Sequence, residues 1–388
     1  MLTFEKFAGI NNQQSASRLA ENELSVATNV DIDATGQVRR RDGYERTSAD
    51  AHSNLFAAHG MQLATVGLNG DLKNIKTGVV LYPSLGHSRA WYCALPDRRV
   101  VFSNGLICGV TDGATTTAWG VSAPPSIGAA TDVAGALFPG EYRYAITYVR
   151  NADGLESAPL MSEPFHVQEG GVFLSGLPVR AGHTINAYLT SHNDGEFYLA
   201  GNTATGLFSF AGENDALVVP CRTAFTSAPH AGRCLVAWRG RVLYAVGNVL
   251  YATEAASSER VNLRRDFKQF ADPITAVVPV DDGVYVGTEG ELAFLSGDRF
   301  DALTYGRVAD GRVALGSGVA VRGELVKQGD GTGAGKAMIC IADQTLVAGF
   351  NGGMVVRMTE GRYKVDVDEV FATFRSHHGM HQYIAIPR

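Results

Sequence analysis

The sequence predicts an all-β chain: a β-propeller of about six blades, interrupted by an inserted β-sandwich. Three observations predict it. Short apolar runs folded on Gly and Asn turns recur along the chain. Neighbouring copies lie about 40 residues apart, the period of a propeller blade. One gap exceeds that period by about 100 residues, the size of one sandwich domain. A two-sheet sandwich with long loops is the alternative reading.

The hairpins come first. Residues 241–252 read RVLYAVGNVLYA, and the construction returns at 99–110 (RVVFSNGLICGV), 283–295 (GVYVGTEGELAFL) and 345–358 (TLVAGFNGGMVVRM). A weaker copy occupies 62–75 (QLATVGLNGDLKNI). Val, Leu, Tyr and Phe at these densities favour a half-buried pleated strand. Asn-Gly, Gly-Asn and Gly-Gly between them mark tight turns that need positive φ. Val242 and Val284 are 42 positions apart, and Leu63 and Val100 are 37 apart. From Val100 to Val242 is 142 positions, one period plus the insert. From Val284 to Leu346 is 62, and the Gly-rich stretch 321–336 accounts for the excess.

Composition sets bounds. The 388 residues are 45% hydrophobic and 19% charged, enough for large cores in two or three domains. Gly accounts for 45 of them, an excess that without a collagen period means many turns. A net charge of −6 gives no basic face for sequence-specific nucleic-acid binding. The five cysteines, Cys93, Cys108, Cys221, Cys234 and Cys340, show no C-x-x-C spacing. They read as free thiols of a chain folded in a reducing cytoplasm. No apolar run is long enough to span a membrane, and the first residues lack a signal pattern, so no membrane insertion is expected.

Taken in order, residues 1–54 fall outside the period and form an arm and hairpin. Residues 17–28 read as a short helix, then 29–33 and 37–44 as two strands around the turn 34–36. Arg39, Arg40 and Arg41 sit on the second strand, as a solvated or interface-facing edge. Residues 55–119 carry the first two blades. The run Ala123-Pro124-Pro125-Ser126 marks a boundary. In the next unit, 120–222, Tyr142, Tyr144, Ile146 and Tyr148 share one strand face by its period of two. Residues 223–388 return to the blade pattern, with Asp281-Asp282-Gly283 as a turn. Strands at 370–374 and 382–386 close the chain, and the last is expected to pair with the N-terminal hairpin to close the ring.

Three stretches invite a chemical reading. Asp31, Asp33, Thr35, Gly36 and Asp42 approach a calcium loop, but Thr35, Arg39 and Asp42 stand where the loop needs better oxygen ligands. Residues 329–336 (GDGTGAGK) approach a phosphate cradle, but Asp330 replaces its first Gly and would repel a phosphate. His377, His378 and His381 cluster without a carboxylate or thiol nearby in sequence. A plain turn is the reading in each case, and no cofactor and no metal are expected. There is no G-x-S-x-G elbow, and the chain is not expected to be an enzyme.

Several segments resemble a family of tailed-bacteriophage virion proteins. They are F-x-G-I-N-N at 7–12, N-V-D-I-D-x-x-G-x-V-R-R-R-x-G-Y at 29–44, the 240–253 and 272–288 runs, and G-G-M-V-V-R-M-T-E-G-R-Y at 352–363. Together they are similar to the tail nozzle proteins of short-tailed phages, propellers with inserted domains set as a ring around the DNA channel. Residues 140–159, with G-E-Y-R-Y-A-I-T-Y and G-L-E-S-A-P, resemble a fibronectin type III sandwich. The resemblance implies a tail component, nozzle or tail-tip, that works by assembly in the virion. It implies contacts with other tail proteins and with copies of itself, and DNA passing without sequence recognition. Phe7, Gly9, Asn11, Asn12, Arg39, Arg40 and Arg41 are the expected assembly contacts. The rival readings are a module that grips a host-surface glycan or protein receptor, and a propeller glycoside hydrolase.

Overall fold

The computed structural model describes residues 6–388 except 34, 44, 47, 256, 329, 330 and 378. Five four-stranded antiparallel sheets dominate it. Sheet I comprises His52–Ala58, Met61–Val66, Asp71–Asn74 and Val79–Tyr82. Sheet II comprises Trp91–Ala94, Val100–Ser103, Cys108–Thr111 and Thr116–Thr117. Sheet III holds Arg233–Trp238, Arg241–Val246, Val249–Ala252 and Phe267–Gln269. Sheet IV holds Ile274–Pro279, Gly283–Thr288, Glu291–Ser296 and Thr304–Asp310. Sheet V holds Val319–Arg322, Lys336–Ala342, Thr345–Gly349 and Val355–Arg357. Four of the five hairpins read from the sequence supply the second and third strands of one sheet, and the fifth, at 345–358, supplies the third and fourth strands of sheet V.

The sheets stack face to face in chain order. Leu63, Leu72 and Leu81 of sheet I pack against Val100 and Phe102 of sheet II. Val101 and Val110 of sheet II meet Val242 and Tyr244 of sheet III. Leu243 and Leu250 of sheet III meet Val284, Val286 and Leu295 of sheet IV. Tyr285, Leu292 and Phe294 meet Met338, Cys340 and Val347 of sheet V. The terminal hairpin, Val370–His377 with Met380–Pro387, then covers sheet V through Phe374 and Tyr383. First strands of successive sheets touch, so each sheet presents its first strand to the same side. Alternation explains the layering: strand residues point to opposite faces, and both faces of most inner strands are apolar. Each fully buried Leu, Val or Phe here stabilises the fold by about 1.5–3 kcal/mol.

Six four-stranded units were expected from the spacing. Outside the 120–222 unit the described residues form five, and the place after sheet V is taken by a two-stranded hairpin. The 321–336 excess is the long connection between the first two strands of sheet V, carrying a small ladder of Lys327–Gln328 with Gly331–Thr332.

Between sheets II and III the chain builds a separate core. A three-stranded sheet (Ala129–Ala134, Gly170–Ser175, Leu207–Phe210) and a four-stranded sheet (Leu160–Met161, Tyr144–Arg150, His183–Thr190, Phe197–Thr203) face each other. Tyr142, Tyr144, Ile146 and Tyr148 all enter the core between them, with Val172, Leu174, Ile185 and Leu189. Each of these Tyr hydroxyls donates to a backbone carbonyl, of Phe138, Gly128 and Pro178 in turn, so burial leaves none unsatisfied.

Residues 17–28 do not form the expected helix. A 3-10 turn at Ala16–Arg18 is followed by the short strand Glu23–Leu24, paired in parallel with Gly9–Ile10. Val26 and Thr28 are poor helix formers. The Glu23 carboxylate is also committed elsewhere, accepting from Asn11 Nδ2 at 3.1 Å and from the Ala20 N–H.

Candidate assembly surface

The F-x-G-I-N-N stretch is tied to its own chain. Phe7 N–H donates to Gly36 O at 2.9 Å, and Asn11 N–H to Leu24 O. Asn11 is buried. Asn12 donates from its side chain to Lys364 O at 2.8 Å and accepts the Lys364 N–H at 2.9 Å, while its own N–H reaches Arg362 O. Gly9 holds φ +111°, a conformation that Asn or Val would adopt only with strain. Asn12 thus fastens the arm onto the stretch that leaves sheet V, and Asn11 ties the arm to its own Glu23–Leu24 strand. Asn11 and Asn12 were expected as assembly contacts; here these two side chains are spent internally.

The N-terminal hairpin, Val30–Ile32 with Val38–Arg40, lies beside the terminal hairpin. The expected ladder with 382–386 does not form: Met380–Pro387 pairs with Val370–His377, and side chains alone bridge the two hairpins among the described residues. Asp31 is the bridge, accepting from Arg41 Nε at 3.1 Å and Gln382 Nε2 at 3.2 Å. Burial pushes the Asp31 carboxyl up, but these hydrogen bonds and the Arg41 charge outweigh it and hold it below its ordinary value. Arg39 reaches the Met380 thioether at 3.6 Å. Arg40 makes no hydrogen bond or ion pair among the described residues, and the strand Val38–Arg40 is exposed throughout. A cavity of about 560 Å³ opens between sheet V and the two hairpins, lined by Arg41, Val326, Ile339, Leu346, Phe374 and Tyr383.

The stretches with a chemical resemblance behave as turns. Asp33 Oδ1 accepts from the Thr35 N–H, the Thr35 hydroxyl and the Gln37 N–H, and it ties a turn together. Gly329 and Asp330 lie outside the described residues; Lys336 N–H donates to the Asp281 carboxylate, an acidic neighbour unsuited to phosphate. His381 pairs with the Ser376 hydroxyl at 2.8 Å and stacks on Phe374; His377 stands 3.5 Å from Asp42, and His378 lies outside the described residues. No group of His, Cys, Asp and Glu among the described residues is arranged to hold a metal ion. No helix among them is long and apolar enough to cross a membrane. All five cysteines are free; burial pushes the Cys93, Cys234 and Cys340 thiols up to about 12 and Cys108 to about 11.

One cluster escaped sequence reasoning. Buried Glu259 accepts from Arg99 at 2.5 Å and Arg150 at 2.8 Å, and its carboxylate also receives the Gly120 N–H. Arg99 comes from sheet II, Arg150 from the 120–222 unit and Glu259 from the segment after sheet III's third strand. Asp97 pairs with Arg99 and Asp153 with Arg150, whose hydrogen bond holds the Asp153 carboxyl below the usual range. Glu156, on the same cavity of about 490 Å³, accepts from Thr147, Asn186 and Tyr188. With each carboxylate held by a donor, the cluster clamps the 120–222 unit to its neighbours. Arg99 and Glu259 are 160 positions apart, so no local pattern could have found it.

No family model and no curated protein matches the chain. Solved structures give distant likenesses. The computationally designed Ika8 protein is 11% identical over 87% of this chain and 97% of its own, with a TM-score of 0.27. BBS1N, solved in complex with ARL6DN, is 12% identical over 77% and 88%, at 0.25. PorZ, a surface component of the type-IX secretion system of Porphyromonas gingivalis, is 10% identical over 87% and 52%, at 0.22. Likenesses this distant bear on neither activity nor partners.

Proposed function

We propose that the chain is a structural component of a bacteriophage tail, a β-propeller with an inserted fibronectin-like sandwich, at the nozzle or the tail tip. Its work is mechanical: rigid layered sheets, ring assembly around the channel through which DNA passes without sequence recognition, and surfaces that hold neighbouring tail proteins. The observation that carries this reading is the stacking of five four-stranded sheets and the terminal hairpin in chain order, first strands to one side. The self-contained core of 120–222 supports an insert. The commitment of Asp97, Asp153, Glu156 and Glu259 to donors speaks for assembly over hydrolysis. The native mass of the purified full chain, with turnover of a glycan panel, tests it. A multimer of fixed copy number without turnover is expected. A monomer that cleaves glycans would replace this reading with the hydrolase, and a monomer that only binds them with the receptor module.

A further inference from the structure

We propose that the exposed strand Val38–Arg40 of one copy docks on the acidic end of the 120–222 unit of a second copy. This rests on the reading of the chain as a ring-forming part. Arg41 is neutralised by Asp31, but Arg40 has no partner among the described residues, and Arg39 meets a thioether sulfur. Arg39, Arg40 and Val38, which is 38% exposed, are therefore open to a partner on a strand whose two faces both reach solvent. Arginine held this way is suited to bidentate pairing with carboxylates across an interface.

The receiving surface is built from two loops and the turn that runs into the strand Gly140–Tyr142, which meet at one end of the sandwich. Residues 135–142, 191–196 and 211–216 carry Glu141, Asp194, Glu196, Glu213 and Asp215 and contain no Lys or Arg. At their meeting point Phe138 is 61% exposed, yet held firmly. Its N–H donates to Asn214 Oδ1 at 2.9 Å, and its carbonyl accepts the Tyr142 hydroxyl at 3.0 Å. The His192 ring stands edge-on to it at 6.1 Å, and Asn193 Oδ1 receives the Glu141 N–H at 3.2 Å. A rigid aromatic face among carboxylates is a receptor for a guanidinium. The chain uses this contact internally: Arg264 lies 3.2 Å over Phe225, and Arg89 sits 4.1 Å from Trp91 and 4.5 Å from Phe371.

The observations favour a second copy over DNA. Phosphate binding strengthens with the number of cations engaged, and this strand offers two, among Asp31, Asp33, Asp42 and Glu45, on a chain of net charge −6. The donor and receiving patches differ and lie on one polypeptide. Such a contact is head-to-tail and generates a ring or a filament.

Sedimentation velocity of the full chain tests the proposal with two charge variants, R39E/R40E and E141R/D215R. All four positions are exposed, and each variant should melt like the parent. Each alone is expected to sediment as a monomer, and an equimolar mixture to regain the parent's mass, because the swapped charges again attract. Two variants that assemble like the parent would overturn this contact and leave the ring reading intact. A monomeric parent at high concentration would overturn the ring reading and this contact with it. Loss of assembly without rescue on mixing would also overturn it; if R39E/R40E then loses salt-sensitive retention on a duplex DNA, the strand's partner is DNA.

Discussion

Glu259 shows what a single side chain does in this molecule. It is buried, and it neutralises two arginines from two different units. Removing one partner of a buried pair costs about 3–5 kcal/mol. Arg99 and Arg150 keep some access to water, so Glu259→Ala is expected to lower stability by about 2–3 kcal/mol in urea denaturation. Tyr285 acts on a smaller scale: its buried hydroxyl donates to Phe350 O at 2.6 Å and Met354 O at 3.1 Å, locking sheet IV to sheet V. Tyr285→Phe removes the donor from Phe350 O, while Met354 O keeps the Phe350 N–H, and should cost about 1–2 kcal/mol by the same measurement. The thiols are quiet for a related reason. Burial disfavours the thiolate, so at pH 8 the native chain should react with iodoacetamide far more slowly than the urea-unfolded chain, with the half-buried Cys108 ahead of Cys93, Cys234 and Cys340. Of these residues the sequence made only the cysteines legible. Glu259 and Tyr285 act through partners distant in sequence, and no spacing rule reaches that far.

At the scale of elements, the legible parts are those with local chemistry. The five hairpins announced themselves because Gly-Asn and Asn-Gly turns and apolar alternation are short-range signals. The helix read at 17–28 failed because Asn11 and Glu23 reward an extended pairing that propensity does not register. The Asp31 carboxylate is the hairpin's most connected tie to the terminal hairpin, beside the Arg39–Met380 and His377–Asp42 contacts. Asp31 has a folded-state value below its ordinary one, so its contribution is complete above about pH 4 and is lost as the pH falls through the folded value. Hydrogen exchange of residues 30–41 should therefore speed up on acidification before the sheets lose protection, and Asp31→Asn should do the same at pH 7. Unchanged exchange in that variant would mean that other contacts hold the hairpin. The 120–222 unit is a second element with its own core. Replacing 123–220 by a short linker should leave a chain that melts cooperatively, at a lower temperature because Glu259 loses Arg150. A broad melt would show that sheets II and III need the unit between them.

For the whole molecule, the order of layers was legible and the end of the stack was not. The spacing foretold repeated units because each sheet contributes one of these hairpins. It could not tell that the last unit holds two strands, Val370–His377 and Met380–Pro387, or that the N-terminal hairpin meets them through Asp31 and Gln382 without a ladder. That contact depends on side chains, and strand patterns are blind to it. The same stack sets the central claim, that sheets I to V and the terminal hairpin surround an axis and that copies assemble into a ring. Two-dimensional class averages from electron micrographs of the purified full chain test it most directly. Ring-shaped particles with a central opening and one knob per copy are expected, the knobs absent when 123–220 are deleted. Compact single particles at every concentration, with no opening and no higher assembly, would contradict it.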